Sequence, residues 1–374
     1  MTRWWPALLL VLSLPSQGLA ANPAPLSNVD AALAQLSKEL ADQSLSVPQR
    51  LEVIRALSGW GGSRVVAPLV AALKDPSEEI RGTAARGLGW RGNNEAAPAL
   101  RELVAAPQET VLVKAGAVEA LGLIGDPPDR AVLAEATKHN DARVRQAALV
   151  GMAFGPLSEP SNRIPYLLQL AEDQALQGLL RCDAVRELTN VNEERVVDAF
   201  IRILENEPRF ALNLPEGENA QQQLMEVRRV QARDVAAWVA EGLGQLKAKR
   251  ALGLLQRTAE DRSDFFLRLM SLRALIVLND PGSRPVLVRR LDDPVPDVRR
   301  LALVGLGELK DRTAVPVVQT RLTDTAAMVR AQAATTLAVL GDPTVRPALE
   351  DLQKREIDSN VQYAVDEALS HLSR

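Results

Sequence analysis

The sequence predicts an all-α protein, an α-solenoid of about ten helical hairpins, and three observations carry that reading. From Asp293 to Asp342 one pattern is written twice at a step of 31 residues: Asp293 and Asp324, Arg299 and Arg330, Ala302 and Ala333, Leu306 and Leu337, then the small Gly307 and Ala338. Each copy holds two short helical patterns, and a period in this range with that content is the signature of stacked helix pairs. The leucine column continues outward through Leu57, Leu88, Leu121, Met152, Leu188, Leu243, Leu275 and Leu369. The steps are 31, 33, 31, 36, 55, 32, 31, 31 and 32 residues, so one interval alone breaks the rhythm badly.

The chain opens with Arg3, an apolar run from Ala7 to Leu14, Pro15, and the small-residue ending Gly18-Leu19-Ala20. This is the pattern of a secretory signal peptide, residues 1–20, with cleavage expected after Ala20. Eight apolar residues fall far short of the roughly 20 that span a bilayer. No cysteine near the cleavage point could accept a lipid, so the mature chain is expected in the periplasm or secreted, without membrane insertion. Residues 21–374 are expected to form one solenoid with no second domain.

The first hairpin pairs a helix from about Val29 to Leu40, opened by Ser27 and Asp30 at capping-box spacing, with the helix that carries Leu57. In every hairpin the second helix holds a basic column seven residues before the leucine: Arg50, Arg81, Lys114, Arg145, Arg181, Arg268, Arg299 and Arg330, with Ala236 and Gln362 as exceptions. Four residues before the leucine the side chain is small, from Val53 and Ala84 through Ser271 to Val365, on the same face one turn away. The residue after the leucine is small in nine hairpins, Ile276 being the exception.

A shorter helix precedes each of these, with Pro68, Pro98, Pro285, Pro316 and Pro347 near the start, where the missing N–H costs nothing. Ser283, Thr313 and Thr344 occupy the expected N-cap positions. Gly125 and Gly341 are expected to end helices in the left-handed conformation. The last hairpin pairs Thr344 to Gln353 with Asn360 to Leu372.

Two places are irregular. A long loop lies between Phe154 and Ile164, and the sixth hairpin carries an insertion at about residues 206–220, followed by a helical stretch expected from Gln221 to Leu246. Long loops inside compact repeats are uncommon and often functional, although a surface loop also tolerates insertion. Phe210, Leu212 and Leu214 are apolar where a solvated loop would be polar, Arg228 and Arg229 add charge, and Trp238 lies further along. Those six residues are the candidate partner-binding site.

Composition bounds the chemistry. The formal net charge of −3 becomes −4 once Arg3 leaves with the leader, and nucleic-acid binders normally show a basic excess. The row two residues before each leucine reads Arg55, Arg86, Glu119, Val150, Arg186, Glu241, Arg273, Val304, Thr335 and Glu367. Mixed signs make no phosphate-tracking stripe, so no nucleic-acid partner is expected. The single cysteine, Cys182, cannot form an internal disulfide, and although Arg181 is adjacent, a lone thiol of this kind is expected to be inert. The two histidines, His139 and His371, stand in hairpins far apart, and no metal or other cofactor is expected. Trp60, Trp90 and Trp238 either fill gaps between turns or anchor a partner.

The Asp, five residues, Arg, Ala-Ala, Leu-Gly pattern with a proline-bearing helix before it resembles the HEAT repeats of the phycobilisome-lyase type over nearly the whole mature chain. The resemblance implies that the proline-bearing helices form an outer layer and the Arg-bearing helices an inner one. It also implies that Asp75 with Arg81, Asp293 with Arg299, and Asp324 with Arg330 join a ladder of hydrogen bonds between neighbouring turns. Such repeats serve lyases, hydroxylases, DNA-repair proteins and scaffolds. The hydroxylase branch carries repeated His-Glu pairs for iron, whereas His139 is followed by Asn140 and His371 by Leu372. The expected function is therefore an exported, non-enzymatic scaffold that binds a protein or peptide. The alternative is an accessory factor or lyase handling a bound chromophore or other small molecule.

Overall fold

A leucine with a small residue one turn earlier gives a helix a narrow apolar face that can approach a neighbour closely. The computed structural model describes residues 26–59, 63–89, 94–158, 162–176, 178–208 and 234–372, and within them this face is the core. Nine of the ten register side chains are buried, Leu369 being half-exposed, and so are all ten residues four positions before them. The protein is an all-α solenoid, with twenty α-helices in ten hairpins among the described residues. The signal-peptide stretch and the side chain of Ser27 lie outside them.

The chain divides into two compact units, up to Ala120 and from Leu121. The first holds α1 (Leu26–Ala41), α2 (Val47–Gly59), α3 (Val66–Ala72), α4 (Glu78–Gly89), α5 (Ala97–Ala105) and most of α6 (Val111–Ile124). The second holds α7 (Asp129–Ala136), α8 (Ala142–Phe154), α9 (Ile164–Glu172), α10 (Gly178–Leu188), α11 (Glu194–Asn206) and α12 (Val235–Gln245). It continues through α13 (Leu252–Thr258), α14 (Phe265–Leu278), α15 (Arg284–Arg290), α16 (Pro296–Glu308) and α17 (Val315–Gln319). It ends with α18 (Ala327–Leu340), α19 (Arg346–Arg355) and α20 (Ser359–His371). Even-numbered helices, which bear the arginines, pack side by side: α2 on α4 in the first unit, and α10 on α12, α14, α16, α18 and α20 in succession in the second.

The small column after each leucine has a direct cause. It meets the residue before the next leucine across the gap between even-numbered helices. A Cβ on Gly89 would lie 2.4 Å from the Ala120 Cα, and one on Gly244 would lie 2.5 Å from the Ala274 Cα. Gly122 and Gly151 face each other, each leaving 2.8 Å for the other's missing Cβ. Ile276, the large exception, is accommodated because its opposite number is Gly305, where an added Cβ would be 3.1 Å from the isoleucine Cγ1.

The arginine column forms the ladder. In the first unit Arg50 pairs with Asp75, and Arg81 Nη2 donates to Glu109 Oε1 at 2.8 Å. In the second, Arg145 reaches Asp173 (2.8 Å), Arg181 Glu207 (2.6 Å), Arg268 Asp293 (3.2 Å), Arg299 Asp324 (2.6 Å) and Arg330 Glu356 (2.7 Å). Within its own hairpin each of Arg81, Arg299 and Arg330 donates to the backbone carbonyl of the aspartate six residues earlier, at 2.7–2.9 Å. The Asp-Arg spacing in the sequence therefore records a backbone bond, and the carboxylate serves the preceding hairpin. A guanidinium fork fits a carboxylate in two parallel bonds and still has donors for a carbonyl.

Two local expectations change. The capping acceptors of the proline-bearing helices are Asp280, Asp311 and Asp342, each taking the amide two residues on, while the Ser283 side chain caps nothing and Thr313 and Thr344 are themselves the residues capped. An aspartate before a tight turn closes it by accepting its own chain's amide. Of the helix expected from Gln221 to Leu246, residues 221–233 lie outside the described residues, and the described part starts only at Val235: Asp234, with ψ of 87°, is non-helical and its side chain accepts from Ala237 N to cap α12. The left-handed helix ends fall four residues past the leucines, at Gly125 and Gly341 as expected, and also at Lys247, Asn279 and Lys310.

Candidate functional site

The ladder removes most of the arginine column from the surface. Arg50, Arg181, Arg268 and Arg299 are buried, and each guanidinium is bound to an acid of the next hairpin. The row two residues before the leucines also carries charges, and neighbours in that row pair across the helices. Arg86 meets Glu119 at 3.4 Å in the first unit, and Arg273 meets Glu241 at 2.9 Å in the second.

Among the described residues, aromatic and charged side chains come together on α10, α12 and α14. The α12 helix places Trp238 half-buried against the core, five residues before Leu243. Phe266, in the first turn of α14, meets it edge-on with ring centroids 6.1 Å apart and planes at 74°, the arrangement an aromatic quadrupole favours. From α10 the Arg186 guanidinium stands 5.8 Å from the Trp238 ring centroid, within cation–π range, while pairing with Asp183. One turn along α12 from Trp238, Glu241 pairs with the half-exposed Arg273 of α14. Burial pushes the Asp183 carboxyl up, opposed by Arg186. The result is a half-buried indole with one guanidinium held beside it, an arrangement that can take a flat group with an acidic substituent.

Beneath it, Cys182 is buried, and burial followed by the charge of Asp234 pushes its thiol well above the usual range. A thiol kept protonated is a poor nucleophile. His139 accepts the Asp141 amide at Nδ1, 3.0 Å away. Among the described residues no three His, Cys, Asp or Glu side chains are grouped to hold a metal ion, and no helix is long and apolar enough to cross a membrane.

Of the six residues singled out from the sequence, Trp238 is described and is packed rather than free. Phe210, Leu212, Leu214, Arg228 and Arg229 lie outside the described residues, as do Trp60 and Trp90. Arg186, Glu241 and Arg273 were visible as alternating charges in one row. That Arg186 stands beside an aromatic pair was not, because Phe266 belongs to a different column.

Residues 33–115, 222–304 and 290–370 match HEAT repeats. The chain belongs to the HEAT-repeat family. This HEAT-repeat protein is 30% identical over 172 residues to the phycocyanobilin lyase subunit alpha of Picosynechococcus sp., covering 43% of the chain and 62% of that relative. It is 31% identical over 143 residues to the deoxyhypusine hydroxylase-B of Oryza sativa subsp. japonica, covering 36% and 47% respectively. The chain thus spans less than two thirds of either relative. Among solved structures, Kap121p bound to Pho4p superposes with a TM-score of 0.54 at 12% identity, over 93% of this chain and 46% of that one, a likeness of fold. These relatives overturn the expectation of a non-enzymatic protein: both curated relatives are named as enzymes.

Proposed function

We propose that this HEAT-repeat protein is an exported accessory factor or lyase that handles a bound chromophore or other flat small molecule, seated across α10, α12 and α14. The observation that carries the reading is the Arg186–Trp238–Phe266 cluster, in a chain of which 3% is aromatic. A half-exposed indole beside a guanidinium offers a face for a conjugated ring, and Arg186 offers charge to an acidic substituent. The likeness to the phycocyanobilin lyase subunit supports the class of ligand. Iron chemistry of the hydroxylase kind lacks support in the sequence, which contains two histidines and no His-Glu pair.

Absorption spectra of the protein purified from its native host test the seat. A visible band that is lost in Trp238→Ala, with the far-ultraviolet circular dichroism unchanged, is the expected result. A colourless protein, or a band that survives the substitution undiminished, overturns it. Export rests on the leader pattern of residues 1–20, and N-terminal sequencing of protein from the envelope fraction is expected to begin at Ala21.

A further inference from the structure

The exposed apolar side chains of the solenoid are not spread evenly. Of the six large ones exposed among the described residues, Met328, Val339, Ile357 and Tyr363 lie in the last two hairpins, with Tyr363 68% and Ile357 93% exposed. Met328 lines an open groove of about 490 Å³ between α18 and the start of α20, together with Ala327, Ala331 and Thr335 on one side and Asp358 and Asn360 on the other. The two alanines leave the space that larger side chains would fill. Side chains three or four apart share a helix face, so Val339 continues the α18 wall one turn past Thr335, and Tyr363 continues the α20 wall one turn past Asn360. Ile357 stands immediately before Asp358.

Length and charge say what fits this surface. From Met328 to Val339 the apolar wall runs about 16 Å along α18 at 1.5 Å per residue, longer than a single ring system and equal to about three turns of a partner helix. That wall carries no charge, whereas the α20 side is acidic. Asp358, half-buried in the groove, spends Oδ1 on the Asn360 and Val361 amides at 2.9 and 3.2 Å, and Glu367 is exposed one turn past Tyr363. Arg330, close enough to feel Asp358, is already committed: its fork binds both Glu356 oxygens at 2.7 and 2.8 Å, and Nη1 donates to the Asp324 carbonyl at 2.9 Å. One guanidinium therefore faces three acids, and the groove keeps a negative balance. We propose that the α18–α20 groove is a docking site for an amphipathic helical segment of a partner protein, with apolar side chains along one stripe and lysine or arginine on its flanks. The apolar stripe lies over Met328, Val339 and Tyr363, and the basic flanks meet Asp358 and Glu367. Tyrosine suits such an edge because it offers an apolar ring and a polar tip together.

A second copy of this chain is the poorer occupant. Stacking one solenoid on the end of another would continue the arginine ladder, but the last hairpin has Gln362 in that column, and its Nε2 turns back to the Glu356 carbonyl at 2.7 Å. Asp366, also on α20, accepts from Gln353 of α19 at 2.6 Å within the same hairpin. A polar terminal hairpin of this kind ends a repeat array. The ligand seat proposed at α10, α12 and α14 presents a guanidinium, whereas this groove presents carboxylates, so the two surfaces select opposite charge and the docking site stands independently of that seat.

The test titrates the purified full chain, carrying 13C in its methionine methyls, with a synthetic helical peptide that has leucine along one stripe and lysine on both flanks. The same peptide with glutamate for lysine is the comparison, and dye-labelled copies give affinities by fluorescence anisotropy. The lysine peptide is expected to bind and to move the Met328 methyl signal, assigned by its loss in Met328→Leu, while the glutamate peptide binds at least about tenfold more weakly. Tyr363→Ser is expected to weaken the lysine peptide about tenfold, and Glu367→Gln about threefold. Both side chains are exposed, so the melting transition is expected to stay where it is in either variant. Failure of the lysine peptide to bind, equal affinity for the two peptides, binding that leaves the Met328 methyl unmoved, or no loss in Tyr363→Ser overturns the docking site. Self-association in sedimentation that Tyr363→Ser abolishes overturns it in favour of a second copy.

Discussion

The junctions among the last three hairpins and the start of α14 shift their acids in opposite directions. At Arg299–Asp324 and Arg330–Glu356 a guanidinium, buried in the first and partly buried in the second, is matched to an ionised acid and to backbone carbonyls, and the Arg330 fork holds the Glu356 carboxyl down at about 2. At the start of α14 the wholly buried Asp264 caps the helix through Oδ1, and burial holds its carboxyl above the ordinary range. A repeat can therefore keep its helix spacing while the sign of its pH response is reversed. The Gly244–Ala274 contact sets the spacing, and the charged groups set the conditions under which it holds.

The largest expected effect tests the shared element. Leu306→Ala removes a wholly buried side chain between turns and should cost about 2 to 5 kcal/mol, whereas the exposed Thr335→Ala should cost about 0.5 kcal/mol or less. Equal melting temperatures for the two would break the register on which the comparison stands. Arg299→Ala should come next, at about 3 kcal/mol, because it strands Asp324 and a carbonyl in a buried site. Asp264→Asn, at the other kind of junction, should leave stability at neutral pH unchanged or raised, since it removes a buried acid and keeps the cap.

Spacing itself is tested by Gly305→Ala, whose new methyl would crowd the Leu287 and Ile276 side-chain ends at 2.7–3.1 Å and should cost about 1 to 2 kcal/mol. In an Ile276→Val background part of that cost should disappear, which a double-mutant cycle would read as coupling. Additive costs would mean that Ile276 and Gly305 are not the matched pair described.

The smallest effects lie in the pH dependence. Glu356 is depressed in the folded state, so its contribution is present above the ordinary glutamate value of about 4.3 and is lost as pH falls through about 2. Asp264 is raised, so its contribution is full below the ordinary aspartate value of about 3.9 and is lost as pH rises through its folded value. Melting curves collected against pH should accordingly lose part of their acid limb in Glu356→Gln, while Asp264→Asn should lose a decline on the opposite side. If both variants flatten the same limb, the two acids are not shifted in opposite directions.

Much of this was legible in the residues. Leucine and small-residue columns at a 31-residue step require stacked helical hairpins, because side chains four apart share a helix face and no other regular structure buries them together. The arginine column and its aspartates pointed to a ladder, and the glycine column to close helix approach. What only the tertiary structure decided were the partners. The aspartate six residues before an arginine binds it through the backbone and gives its carboxylate to another hairpin, a distinction that sequence spacing does not contain. Ile276 looked like a defect until Gly305, 29 residues on, was opposite it. Trp238 stands five residues before its register leucine and Phe266 nine before its own, so no column joins them, and they meet because α12 and α14 pack side by side. Periodicity reports which face of a helix is buried. Which charges and rings then confront each other depends on the angle and offset between neighbouring helices, which are set by the packing of the whole layer.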